Sequence, residues 1–294
     1  MQCYPTASPR RYGLPQVFPT SRLQLLSDPN NYTLSFLLQC PTKMPYDFKG
    51  KKVLVTGGSR GLGEYICVKF AKEGCNVAIN YVSSVDRANA VAEKVEDHGV
   101  RACLIQGDMG IEADVKRTVE TAIEILGGLD IIISNAGYTR FSKFDDLSAA
   151  TVDDWQTTYA VNVLAQRHLL FQALPIFNSN PHGGVMIMSS SIAGIKTSGS
   201  SMPYSVTKAA QLHLMKCLAA TQGPKVRVNA VLPGLLLTEW GLRYPQERID
   251  QVTEAALLKK ATDLDDCAQA FVDIARNTSM TGQSVVVDSG LSAA

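Results

Sequence analysis

Short apolar runs and longer amphipathic stretches alternate from residue 51 to the end of the chain. Val53–Thr56, Val77–Tyr81, Ala102–Gln106, Ile131–Ser134, Val185–Met188, Val226–Val231 and Ser284–Val287 are rich in β-branched residues and apolar almost throughout. A strand with one solvated face alternates apolar and polar positions, whereas an unbroken apolar run marks a strand covered on both faces, as in a parallel sheet. Between these runs lie helical windows: Leu62–Glu73, Val85–Asp97, Ala113–Leu126, Val152–Leu174, Tyr204–Ala220 and Leu264–Ala275. Strand–helix alternation implies right-handed crossovers. The pattern therefore predicts a single α/β domain over 46–294, with a doubly wound, seven-stranded parallel sheet flanked by helices.

Residues 1–45 break the pattern. They hold seven of the thirteen prolines, and Asp28 is their one acid. Three readings stay open. The segment is a disordered or loosely docked extension; or it is a mitochondrial transit peptide, as Arg10, Arg11 and Arg22 suggest, although its prolines would interrupt an amphipathic helix; or translation starts at Met44, directly ahead of the folded region.

Apolar residues make up 46% of the chain and charged residues 19%, which fits a globular protein with a large core. A net charge of +1 gives no electrostatic basis for binding nucleic acid or an anionic membrane. No run reaches the length of about 18 apolar residues that a membrane span needs. The seven cysteines are odd in number and form no Cys-x-x-Cys pair, and the four histidines have no metal-ligand spacing. A disulfide framework and a metal site are thus not expected. Reduced thiols and the lack of a Ser-Lys-Leu tail make the cytoplasm the expected compartment, with the mitochondrion as the alternative if 1–45 is a transit peptide.

The first strand runs into Thr56-Gly57-Gly58-Ser59-Arg60-Gly61-Leu62-Gly63, and a helix follows. Glycines at 57, 61 and 63 allow a tight turn, close approach of backbone to a pyrophosphate, and amides at the helix start for its charge. The second strand ends Asn80-Tyr81-Val82-Ser83-Ser84, without the carboxylate that usually receives the adenosine ribose hydroxyls of NAD. Arg60, with Ser83 and Ser84, could instead face a 2′-phosphate. The expected cofactor is therefore NADP(H), a solvated surface arginine being the plain alternative. Asp108, after the third strand, is placed to hold an adenine amino group or to cap a helix.

Tyr204 and Lys208 lie four apart on one helix face, after the fifth strand and Ser189-Ser190-Ser191-Ile192-Ala193-Gly194. A tyrosine titrates near pH 10, so a nearby cationic Lys208 is expected to stabilise the phenolate and lower that value toward the working range.

Together with Asn135-Ala136-Gly137 after strand four, Asn162 on the next helix, Pro233-Gly234 after strand six and Thr281-Gly282-Gln283…Val287-Asp288, these residues resemble the short-chain dehydrogenase/reductase family over 49–291. The resemblance implies a Rossmann fold. It also implies four catalytic residues: Tyr204 as the acid or base at the carbonyl oxygen, Ser191 orienting that carbonyl, Lys208 holding the nicotinamide ribose, and Asn162 ordering a relay water at a helix irregularity. Asn135, Ala136 and Gly137 would border the cofactor ribose, and Pro233, Gly234, Leu236 and Thr238 its nicotinamide end. Two departures stand out: Ser134 where small residues or Asn are frequent, and Asp288-Ser289-Gly290, which puts a Cβ at a turn suited to glycine.

Leu235, Leu236, Leu237, Trp240, Leu242 and Tyr244 follow Pro233-Gly234, where the family varies with substrate. They suggest an apolar ketone or alcohol as partner, although the same residues could simply pack the segment on the core. Arg140 and Arg243 are candidates for an anionic group. The leading expectation is an NADPH-dependent carbonyl reductase, and the enzyme alternative is a 3-oxoacyl-carrier-protein-type reductase. A non-catalytic NADP-binding sensor is the alternative of another class, and the presence of both Tyr204 and Lys208 argues against it. The resemblance also implies a homodimer or homotetramer formed through the helices at 152–174 and 204–220.

Overall fold

The computed structural model describes residues 46–294, so the expectations for residues 1–45 lie outside the described residues. Seven strands form one parallel sheet: β1 (Lys52–Val55), β2 (Asn76–Tyr81), β3 (Ala102–Gln106), β4 (Ile131–Ser134), β5 (Gly184–Ser189), β6 (Val226–Pro233) and β7 (Ser284–Val287). Their order is β3-β2-β1-β4-β5-β6-β7, so the chain reverses its direction of travel between β1 and β4. Register is set residue by residue, with Val53 opposite Val77 on one side and Ile131 on the other.

The unbroken apolar runs feed two cores at once. Val53 and Val55 of β1 point to one face, where α1 (Gly61–Lys72), α2 (Val85–Glu96) and α8 (Leu264–Arg276) supply Ile66, Phe70, Val91 and Phe271. Leu54 between them points to the other face. There α3 (Glu112–Leu126), α5 (Ala165–Ser179) and α6 (Met202–Gln222) supply Val119, Leu169, Phe177 and Met215. Alternation of side-chain direction along a strand makes both faces need apolar residues, which is why few polar positions, Asn80, Arg227 and Asn229 among them, interrupt these runs.

Local chemistry sets the helix starts. The Thr151 hydroxyl accepts from the Asp154 amide while the Asp154 carboxylate accepts from the Thr151 amide, opening α4 (Val152–Tyr159) with a reciprocal cap. Ser201 caps α6 by accepting from the Tyr204 amide, and Pro203 stands in its first turn.

Three features differ from the sequence reading. The stretch read as one helix over 152–174 is α4, a wide π turn at Ala160–Leu164, and α5 running on to Ser179. A helix not anticipated, α7 (Gln246–Ala255), follows β6; only Ile249 in it is buried, so it carries almost no apolar stripe. And β7 is a half-exposed edge strand, with Val286 41% exposed, because β6 covers it from one side only. No helix among the described residues is long and apolar enough to cross a membrane.

Candidate active site

A cavity of about 730 Å³ opens at the carboxyl ends of β1, β4, β5 and β6, where the sheet reverses its winding. All the predicted cofactor residues line it except Asp108. The Asp108 carboxylate turns back on its own loop and accepts from the Gly110 amide, while the Asp108 amide donates to Asp114. Asp108 is therefore neither in the lining nor the cap of α3, which begins after Ile111.

The glycine positions of the loop have no room for a side chain. Gly57 has φ +61°, and a Cβ on Gly63 would lie 2.2 Å from the Gly57 carbonyl oxygen. The loop is tied down from several strands. Asn80 accepts from the Gly57 amide at 3.2 Å and donates to the Ile105 and Gly107 carbonyls. Asn135 donates from its side chain to the Thr56 and Gly57 carbonyls, and its amide donates to the Thr56 hydroxyl. No side chain caps the first turn of α1. A backbone cradle that a Cβ would fill, leading into a helix start, fits the pyrophosphate of a dinucleotide.

Tyr81, Ser83 and Ser84 line the far side of this end. Arg60 does not stand free there: its guanidinium meets Glu239 at 3.1 Å, and Arg87, on the first turn of α2, meets the other oxygen of the same carboxylate. All three side chains are about half exposed, so the bridge is weak and readily exchanged. One carboxylate thus holds two guanidinia together beside the two serines, where the sequence predicted a phosphate.

At the other end, α6 presents Tyr204 and Lys208 to the cavity on one face. The Tyr204 phenol lies within reach of the Ser191 side chain, whose oxygen accepts from the Ala193 amide at 3.1 Å. The neighbouring serines are engaged elsewhere, Ser189 with Asn135 and Ser190 with the Lys208 carbonyl. Lys208 is buried, donating to the Ser189 carbonyl at 2.7 Å and to Gln211 at 3.2 Å; its ammonium lies 5.5 Å from the Tyr204 ring centre.

Asn162 sits in the π turn, fully buried behind the cavity rather than in its lining. It accepts from the Tyr138 amide and donates to the Tyr138 carbonyl and the Thr207 hydroxyl. Thr207 in turn donates to the Tyr204 carbonyl, which links the π turn to the helix carrying the phenol.

Burial dominates the titration of both key groups. It pushes the Tyr204 phenol above its usual range, with the Ser191 side chain pulling the other way and nearby Tyr244 adding to the rise. Burial also lowers Lys208 to about 7. The expected pull of a cationic Lys208 on Tyr204 is therefore not what the protein alone presents. The lysine bonds neutral oxygens without a carboxylate, and its own charge is disfavoured.

The segment after Pro233-Gly234 divides. Leu235, Leu236, Trp240 and Tyr244 line the cavity, with the Trp240 and Tyr204 ring centres 5.7 Å apart. Leu237 and Leu242 do not; both are solvent-exposed. Arg140 is held by Asp154 at 2.6 Å, so of the two arginines considered for an anion only Arg243 reaches the lining. Sequence reasoning missed Arg87, Glu239, Thr207, Gln211 and the α7 face. Among the described residues no cluster of His, Cys, Asp and Glu could hold a metal ion.

A family model described as short chain dehydrogenase matches residues 51–248. The chain is 36% identical, over 81% of its length and 94% of the relative's, to a Streptomyces violaceoruber protein assigned as ketoacyl reductase 2 of the granaticin polyketide synthase. A short chain dehydrogenase from Burkholderia cenocepacia J2315, solved in complex with NADP, superposes with a TM-score of 0.77 at 32% identity, covering 84% of this chain and all of that one. A 7α-hydroxysteroid dehydrogenase, complexed with NADH and 7-oxo glycochenodeoxycholic acid, gives 0.77 at 28% identity, covering 83% of this chain and 94% of its own.

Proposed function

The chain belongs to the short chain dehydrogenase family, and on that premise we propose that it is an NADPH-dependent reductase converting a ketone to a secondary alcohol. The observation that carries the reaction is the Tyr204 phenol beside Ser191 and buried Lys208, on the wall of a cavity whose other end is a dinucleotide cradle. The reduced nicotinamide supplies a hydride when bound. The Ser191 hydroxyl orients and polarises the substrate carbonyl. Tyr204 gives its phenolic proton to the carbonyl oxygen, where it stays as the alcohol O–H; Lys208 and the Asn162–Thr207 link hold the helix face on which the phenolate takes a new proton from solvent.

NADP(H) is favoured by the missing carboxylate at the end of β2 and by the two guanidinia, Arg60 and Arg87, gathered there. The Burkholderia cenocepacia relative binds NADP, while the hydroxysteroid dehydrogenase was solved with NADH, so the cofactor rests on this chain's own residues. A second reading, reduction of a 3-oxoacyl thioester, is favoured by the name of the Streptomyces violaceoruber relative.

Exposed Val152, Tyr159, Leu164 and Phe171 on α4–α5 and Val206 on α6 support assembly as a homodimer or homotetramer through those helices. The described cysteines are free, Cys217 among them exposed, which supports a reducing compartment such as the cytoplasm.

The test is a fluorescence titration with NADPH and NADH, repeated on Arg60→Ala. NADPH is expected to bind more tightly, with about a tenfold loss in the variant; equal or tighter NADH binding would overturn the cofactor. In the same assay Tyr204→Phe should still bind NADPH while losing about 10²- to 10⁴-fold in kcat on ketones. Undiminished turnover would remove the proton-donor role.

A further inference from the structure

The substrate end of the cavity carries positive charge that no carboxylate among the described residues answers. Five of the other arginines among the described residues meet carboxylates, two donate to backbone carbonyls, and Arg167 stacks on Phe171 outside the cavity. Arg243 and Arg248, both in the lining, do neither. Arg243 lies over the Phe141 ring at 4.4 Å, and Arg248 makes a long 3.4 Å contact with the neutral amide of Gln251.

Helix α7 sorts its charges by sign. The residues it turns to the cavity are Arg248, Ile249, Gln251, Val252 and Ala255, while Glu247, Asp250 and Glu254 stay off the lining. The one acid in the whole lining, Glu239, is at the opposite end with Arg60 and Arg87. Tyr244 stands between the reaction centre and these arginines: its phenol lies near Ser200 and is within electrostatic reach of both Tyr204 and Arg248. Phe141 packs edge-on to Tyr244 at 4.9 Å and carries Arg243 on its face. A substrate that seals this mouth strips water from two guanidinia. A neutral ligand leaves that loss uncompensated, whereas an oxyanion recovers it through charge-assisted hydrogen bonds.

We propose that the substrate is an anionic ketone: its carbonyl meets Ser191 and Tyr204, its apolar middle runs past Trp240 and Tyr244, and a carboxylate or phosphate at its far end is bound by Arg248 and Arg243. This rests on the ketone-reduction reading and narrows its substrate class. Tyr244 reaches both Tyr204 and Arg248, so in this proposal the ketone and the anion stand several carbons apart.

The test compares 6-oxoheptanoate, 5-oxohexyl phosphate and the methyl ester of 6-oxoheptanoate, with NADPH as reductant. For the wild-type chain kcat/KM is expected to favour one of the anions over the ester, and which anion identifies the group. Arg248→Ala should lower the anion-to-ester ratio by about tenfold or more, mainly through KM. Arg243→Ala should lower it less, and Arg248→Lys should recover part of it. Both side chains are exposed, and a thermal melt checks that the variants fold. Equal or better use of the ester by the wild type, or a ratio unmoved in both alanine variants, would overturn the proposal. Turnover of none of the three removes the reductase reading instead; binding of the same compounds, followed by tryptophan fluorescence, then decides the anion site by the same ratio.

Discussion

The two ends of the cavity are built on different principles. At the cofactor end the lining is backbone and small residues, laced to the sheet by Thr56, Asn80 and Asn135 through bonds that join β1, β2, β3, β4 and β5. At the substrate end the lining is large side chains on the segment after Gly234, held by ring contacts among Phe141, Tyr204, Trp240 and Tyr244 rather than by the sheet. A ligand common to many enzymes can be met by backbone at close range, which fixes glycine and asparagine at set places. A ligand particular to one enzyme is met by side chains on a segment that can change without disturbing a strand.

Gly63→Ala is the strongest test of that division. Its Cβ would stand 2.2 Å from the Gly57 carbonyl oxygen and 2.7 Å from the Asn135 amide, so the loop must open. We expect a tenfold to hundredfold loss of NADPH affinity and about 1–3 kcal/mol of stability, read by titration and urea unfolding. Trp240→Ala should act instead on the ketone KM, by about tenfold, with under about 1 kcal/mol of stability lost. Equal damage to cofactor binding and stability from the two changes would erase the distinction.

A smaller effect lies at the junction. With its folded value lowered to about 7 from an ordinary 10.5, Lys208 holds fewer protons in the folded chain than in the unfolded one between those values. Stability from this group therefore rises as pH increases above 7. Lys208→Met, which is apolar and similar in length, should flatten the rise between pH 7 and 9 in paired urea melts. An identical slope in both proteins would mean that the ammonium keeps its charge inside.

The smallest effect concerns the departure noted at the Asp288-Ser289-Gly290 turn. Ser289 does adopt φ +55°, the left-handed region where a Cβ is unfavourable. Ser289→Gly should stabilise the chain by about 0.5 kcal/mol, the relief being partly offset by glycine's larger unfolded-state entropy. A thermal midpoint unchanged or lowered would argue that the Ser289 side chain, which reaches the Ala261 carbonyl at 3.4 Å, contributes more than its backbone costs.

The same contrast governs what could be read from the chain. The glycine loop and the Tyr204–Lys208 pair were legible because backbone geometry and helix spacing demand those residue types at fixed separations, and Asn135 was legible through the family resemblance. Glu239 was not, since its partners Arg60 and Arg87 lie 179 and 152 positions away and no local pattern announces the bridge. Helix α7 was missed because its inward face is partly polar, Arg248 and Gln251 included, so the usual apolar stripe is absent. For Asp108 the position after a strand was right, but a two-residue turn onto Gly110 decided where its carboxylate went. Leu237 and Leu242 show that an apolar residue in a variable segment need not face the cavity.

The π turn at Ala160–Leu164 makes the number of residues, as much as their kind, a determinant of the active site. An α-helix advances about 100° per residue, and a π turn absorbs one residue beyond the regular count. Loss of one position there would restore an ordinary helix and leave α4 and α5 in their present phase, so the change would fall on the turn itself. Leu169 and Leu170 would stay in the core, whereas Asn162 would lose the widened turn from which it reaches Tyr138 and Thr207. A substitution in this stretch changes a contact, whereas a deletion closes the turn that presents Asn162 to Thr207; the proton-handling face of α6 therefore depends on a tally kept in a neighbouring helix.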